Sequence, residues 1–295
     1  MAHHSFRPVI PAIDTSPERL AVLLRLLDDE SPPVRTSVQQ ALTAFGGDVS
    51  ELLGELEIHL DEADLELLSL LLLPARRDRL RKEWIVPAAG AAAVDEDWEQ
   101  LEALLRSLSD YLHDGVTLRQ TLGDALDLLA EEFEEVASTE GAAGLNRALF
   151  ESGRFQANHD EEDDPENYDL AQVLAGRPSN AIGLGLIFLL LARRLDLDAE
   201  GLNLPKSFLC RFYEGGAAVL TEPSMKGRQV LPEDLAYRIR RYPREVQALA
   251  ARPVTPGELL VRVIEELATS WSVRGETADA ELMEELLSTL VKGPF

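Results

Sequence analysis

Near the start of the chain, apolar residues recur at the three- and four-residue spacing of helices that bury one face. Leu20, Leu23, Leu24 and Leu27 form a first stripe, preceded by Ser16-Pro17: serine accepts the free amides and proline suits the first helical position. The stripe stops near Asp28-Asp29. Ser31-Pro32 repeats the start signal, Val34, Val38, Ala41, Leu42 and Phe45 continue it, and Gly46-Gly47 supplies a left-handed stop. Two antiparallel helices are predicted.

Pro87 to Asp95, rich in Ala, Gly and Pro, reads as a linker, after which Trp98, Leu101, Leu104, Leu105 and Leu108 restart a helical stripe and Leu118 to Val136 continues as helix. The segment His159 to Asn167 is polar and broken by proline, which predicts an exposed loop. Its spacing lacks the glycine and terminal glutamate of a calcium loop, so no metal is expected there. Ala181 to Ala192 is the most apolar run; too short to cross a bilayer and ended by Arg193-Arg194, it predicts a buried core helix.

Beyond it the period changes from helical to alternating. Phe208 to Tyr213 and Ala217 to Thr221 flank Glu214-Gly215-Gly216, the signature of a hairpin. From Pro253 the chain is helical again, with Thr255 as cap, Pro256 at the first position and Glu258 completing a capping box. Leu259, Leu260, Val263, Ile264, Leu267 and Trp271, then Leu282, Leu286, Leu287 and Leu290, predict a helical hairpin. A helix feeding an antiparallel sheet, with helices on either side, makes the fold class α+β and mostly helical.

Composition narrows the function classes. With 295 residues the chain can bury a full core, and its formal net charge of −25, from 53 acidic against 28 basic residues, repels phosphate backbones and acidic membranes. No nucleic acid and no membrane partner is expected. Arg238, Arg240, Arg241 and Arg244 form a local basic stretch that offers a patch to an acidic partner, although pairing with neighbouring acids is the plainer expectation. A single cysteine, Cys210, can neither close an internal disulfide nor join a thiol cluster for zinc, which suits a reducing cytoplasm. Met1 to Val9 lacks the long apolar stretch and cleavage site of a secretory signal, so a cytoplasmic protein is expected.

Five phrases, in order and nearly ungapped between Leu145 and Leu235, carry a resemblance: LNRALFESGRFQAN, DDPENYDLAQVL, SNAIGLGLIFLLLARRLDL, GLNLPKSFLCRF and TEPSMKGRQVL. They resemble the SirB-type branch of the bacterial transglutaminase-like family. The phrase LLDDESPPVRTSVQQALTAFG likewise resembles a HEAT repeat, and PVTPGELLVRVIEELA falls where the family has tetratricopeptide-like helices. The resemblance implies a papain/transglutaminase-like core, a central helix against a small antiparallel sheet, flanked by helical regions. It divides the chain into a HEAT-like region at 1–86, a core with its preceding helices at 95–240, and a C-terminal helical hairpin at 253–295.

The family's chemistry needs a thiolate at a helix start, an imidazole to take its proton and a carboxylate to orient the imidazole. On the resemblance, the nucleophile position falls on Gly183, which has no side chain; many SirB-type proteins already have serine there. The imidazole, normally the histidine of Asn-Leu-Pro-Gly-His-Phe, falls on Ser207, whose hydroxyl is no general base near neutral pH. The third position, normally Asp, falls on Glu222. No residue takes over: strand alternation sends Cys210 to the face opposite Ser207 and separates the side chains of Lys206 and Ser207. Ser179 reads as the cap of the core helix, and His59, His113 and His159 read as surface residues.

The expected protein is therefore not an enzyme but a pseudoenzyme: a protein-binding adaptor or regulator that uses no cofactor and no metal. Its binding cleft is expected to gather Asn180, Gly183, Lys206, Ser207 and Glu222, with Lys206-Ser207 in place of Gly-His turning the charge preference towards an acidic peptide or carboxylate. Two other readings stand beside it: a hydrolase or acyltransferase of the cysteine-protease superfamily with a non-standard nucleophile, and a structural homo-oligomer subunit.

Overall fold

The computed structural model describes residues 14–56, 58–205 and 207–291. The chain forms two compact units, one from the residues up to Arg79 together with Asp114–Leu118, the other from Leu80–His113 and Arg119 onward.

In the first unit, Ser16 caps helix α1 (Pro17–Leu24) by accepting the Arg19 N–H at 3.3 Å, as its position before proline predicts. Helix α2 (Pro32–Leu42) begins at Ser31 without a side-chain cap and ends through a 3-10 turn at Gly46, which takes φ 74°. Helices α3 (Ser50–Glu55) and α4 (Glu62–Glu83) follow. Leu20, Leu23, Leu24, Val38 and Leu42 from the predicted stripes share one core with Leu68 and Leu72. His59, read as a surface residue, is exposed in the irregular stretch before α4.

The second unit contains helices α5 (Trp98–Leu112), α6 (Leu122–Asn146), α7 (Leu170–Leu174) and α8 (Ala181–Arg194), followed by four strands. These are β1 (Ala199–Leu204), β2 (Ser207–Glu214), β3 (Ala217–Glu222) and β4 (Arg228–Val230), antiparallel in the order β1-β2-β3-β4. Helices α9 (Pro232–Ile239), α10 (Arg244–Ala250), α11 (Pro256–Arg274) and α12 (Thr277–Val291) complete it. The mostly helical α+β class and the hairpin at Gly215-Gly216 are as the sequence predicts.

Helix α8 is apolar all round because it is covered all round: Ile182 to Ala192 are buried without exception. One flank lies on the sheet, where Phe208 fills the space a side chain at Gly185 would need and the Phe188 and Phe212 rings sit 6.2 Å apart. The other sheet face packs Leu202, Leu204, Leu209, Leu220 and Val230 with Ala250 of α10, and α9 leans on it through Leu235 and Ile239.

Several expectations change. Helix α6 starts at Leu122 under a Thr121 cap rather than at Leu118, and it breaks at Gly141 (φ 61°, ψ −154°). Pro87 to Asp95 is no loose linker: its small residues allow the main chain to lie against α11 and α12, where a Cβ on Gly90 would meet the Leu290 carbonyl oxygen at 2.3 Å. The capping box of α11 forms as predicted, yet Thr255 also donates to Asp95 at 2.6 Å, so the α11–α12 hairpin belongs to the same unit as the sheet. His113 is buried at the end of α5, not on the surface. The acidic loop closes in a 3-10 turn (Pro165–Tyr168), burying Asp164, Pro165 and Asn167, while its residues 159–163 stay exposed as predicted.

Candidate binding cleft

The cleft opens at the N-terminus of α8, beside the ends of β2 and β3. The helix is capped by Asn180, whose side-chain oxygen accepts the Gly183 N–H at 2.9 Å. Ser179, the cap expected from sequence, is instead fully buried one residue earlier, where its hydroxyl donates to the Asn167 carbonyl at 2.7 Å. Backbone pairing explains the shift: the Ser179 N–H and carbonyl are held by Gln156 and Asn158, so the chain turns into the helix only at Asn180.

Gly183 lies one turn into α8 and away from the cleft. A Cβ there would stand 2.1 Å from the Ser179 hydroxyl and 2.7 Å from the Asn167 carbonyl oxygen. The α8 residues that do line the cleft are Asn180, Ala181 and Ile182. None carries a thiol or hydroxyl.

Ser207 and Glu222 meet as the strand register requires. Cys210 pairs with Thr221, which puts Leu209 opposite Glu222 and turns Ser207, Leu209 and Glu222 to one sheet face. The Ser207 hydroxyl donates to Glu222 Oε1 at 2.9 Å. Glu222 is 7% exposed, and Arg238 of α9 grips it in a two-pronged ion pair with both bonds at 3.0 Å. Those bonds hold the Arg238 guanidinium more firmly protonated than usual. Arg228 of β4 lies at 4.0 Å. Of the basic stretch, then, Arg238 is spent inside the chain, as the plainer expectation had it.

Cys210 faces the opposite side, wholly buried against α8, and burial pushes its thiol well above the ordinary range. Across the cleft, Arg262 of α11 donates to Glu266 at 2.9 Å and also bonds Asn203, while the buried Tyr168 hydroxyl donates to the same Glu266. Burial first, and the Glu266 charge second, raise the Tyr168 phenol well above its normal value. The cleft measures about 680 Å³, with His159 and Glu162 also on its wall.

Of the predicted cleft residues, Asn180, Ser207 and Glu222 come together, Gly183 does not, and Lys206 lies outside the described residues. Sequence reasoning missed Tyr168, Arg262 and Glu266, and it read His159 only as surface. The one signal for Tyr168 is an aromatic ring closing an acidic stretch; Arg262 and Glu266 sit on the polar side of a helix whose apolar stripe was plain. Among the described residues no group of three or more His, Cys, Asp or Glu side chains stands where it could hold a metal ion, and no helix is long and apolar enough to cross a membrane.

Residues 117–265 match the family described as the transglutaminase-like superfamily. The chain belongs to that superfamily. It is 32% identical over 186 residues to a UPF0162 protein of Xylella fastidiosa strain 9a5c, covering 60% of this chain and 66% of the relative. A UPF0162 protein of Pseudomonas aeruginosa is 32% identical over 161 residues, covering 54% of this chain and 56% of its own length. F-box only protein 21 of Pongo abelii is 26% identical over 151 residues, 48% of this chain and 24% of that protein. The matches thus span less than two thirds of each relative. No solved structure matches the chain.

For this member of the superfamily, the geometry leaves a polar cleft whose buried carboxylate is charge-balanced by arginine.

Proposed function

We propose that this transglutaminase-like protein is a non-catalytic, protein-binding adaptor or regulator of the SirB-type branch, and that its cleft receives a segment of a partner. The observation that carries this reading is the Ser207–Glu222–Arg238 arrangement: where acyl-transfer chemistry needs imidazole and an orienting carboxylate, a hydroxyl donates to a carboxylate already bound by arginine. The bare backbone at Gly183 and the sequestered thiol of Cys210 support it from the nucleophile's side. The paired helices before the core and the hairpin after it are, on this reading, HEAT-like and tetratricopeptide-like flanks that add binding surface, and the protein works in the cytoplasm.

A hydrolase or acyltransferase with a non-standard nucleophile is the competing reading. It draws on two residues that line the cleft, His159 and Ser270, the latter 5% exposed. Glutamine-peptide amides and acyl esters, incubated with high concentrations of the protein, separate the two. The adaptor reading predicts no product, together with a captured partner whose retention is lost on Ala181→Arg while the melting curve is kept; turnover abolished by Ser270→Ala would establish the enzyme.

A further inference from the structure

Behind the Ser207–Glu222 pair, on the side away from the α8 start, lies a smaller cavity of about 300 Å³. Ser207, Glu222 and Met225 line both it and the main cleft, so the two spaces adjoin at that pair. The cavity contains three arginines, Arg228, Arg238 and Arg241, against one carboxylate, Glu222. We propose that it is an anchor for a single carboxylate side chain of the partner segment the cleft receives, an inference that rests on the binding reading above.

Arg238 and Glu222 satisfy each other through two bonds at 3.0 Å. Arg228 stops at 4.0 Å from Glu222, beyond hydrogen-bond reach, and its side chain is 61% exposed. Arg241 touches only the neighbouring Tyr242, at 3.5 Å to the hydroxyl and 5.3 Å to the ring centre, among the contacts of the described residues. Two guanidinium charges therefore face the cavity unmatched, in a chain with 53 acidic and 28 basic residues. Acidic surroundings are the background here; an arginine-rich recess runs against it.

Shape and surroundings choose the anion. A guanidinium fork matches a carboxylate in two bonds, and the space, at the low end for ligand sites, suits one side chain rather than a large ligand. Leu204 and Ile239 supply apolar wall for its aliphatic stem. Glu162, Asp163 and Glu266 line the main cleft and repel a strongly acidic chain, while Glu222 at the cavity's edge penalises a dianion. One carboxylate in an otherwise neutral or basic segment is what remains.

The test titrates the full chain, uniformly labelled with nitrogen-15, with three capped pentapeptides that carry Glu, Gln or Lys between pairs of alanines, and follows the arginine Nε–Hε and backbone amide signals by NMR. The Glu peptide should move Arg228 and Arg241 and saturate at a concentration at least tenfold lower than the Gln peptide. The double variant Arg228→Gln/Arg241→Gln should lose that preference while keeping its melting curve. Arg240→Gln should retain it, since Arg240 stacks on Tyr237 outside the cavity. Equal binding of the Gln or Lys peptide, a preference that survives the double variant, silence of both arginines, or inorganic phosphate displacing the Glu peptide more effectively than acetate would each overturn the anchor. Equal shifts of Ala181 and Ile182 amides by all three peptides would end the anchor and leave the binding reading standing, whereas a cleaved or transferred peptide would end that reading itself.

Discussion

The two faces of the small sheet carry different chemistry from the same strands. On the α8 side, Phe208, Cys210 and Phe212 are buried, and the polar groups that enter are fully bonded: the Thr221 hydroxyl donates to the Gly227 carbonyl at 2.7 Å and the Asn146 amide donates to it at 3.0 Å. On the other side, Leu202, Leu204 and Leu209 share their face with Ser207, Glu222 and the arginines around them. The only sulfur of a cysteine thus sits on the side with no base and no access, and the polar groups in the cleft include no thiol. On the proposed non-catalytic reading, the fold retains the frame of acyl-transfer chemistry while its thiol and the polar groups of the cleft lie on opposite faces of the sheet.

That contrast is sharpest at Gly183. Restoring a cysteine there by Gly183→Cys drives a side chain into the Ser179 hydroxyl and the Asn167 carbonyl. Destabilisation of about 3 kcal/mol is expected from such overpacking, with no gain in thiol reactivity, as denaturant melts and a thiol reagent read out. A stable variant with a rapidly labelled thiol would break the comparison. Next in size, Arg238→Ala leaves the buried Glu222 with only the exposed Arg228, at 4.0 Å, to offset its charge. The cost should be about 2 kcal/mol, below that of a fully buried pair because the Arg238 side chain is 31% exposed. Adding Glu222→Gln to that variant should recover part of it.

On the core face, Cys210→Ser places a hydroxyl in apolar surroundings and should cost about 1–2 kcal/mol, while the native thiol stays unlabelled until the protein unfolds. Tyr168 gives the smallest effect. Its phenol is raised in the folded state, chiefly by burial, so the folded protein keeps that proton after the unfolded chain has lost it. The stabilisation is therefore complete below a pH of about 10, the ordinary phenol value, and falls as pH rises above it. Tyr168→Phe should flatten that alkaline fall, measured as melting temperature against pH.

How much of this was legible in the chain follows from how local each signal is. The α1 and α2 helices, the α11 capping box and the α8 core helix need only signals a few residues apart; the helices form as read, although Ser31 starts α2 without a side-chain cap. Ser179 and Asn180 are two good caps in succession, and only the backbone pairing of Ser179 with Gln156 and Asn158 decides between them. Strand alternation alone sufficed to send Cys210 and Ser207 to opposite faces. Arg238 to Glu222 and Arg262 to Asn203 are bonds across 16 and 59 positions, and no periodicity links them. Gly183 was placed by order along the chain, which gives the position in a helix but not what the missing side chain would meet.

The most direct test of the central claim is intact-mass spectrometry of the native 32.6 kDa chain after prolonged incubation with a panel of activated acyl donors and thiol-directed inhibitors. The account predicts an unchanged mass and no released leaving group above the buffer rate. A stoichiometric acyl adduct on a cleft residue, Ser207 or Ser270, would contradict it.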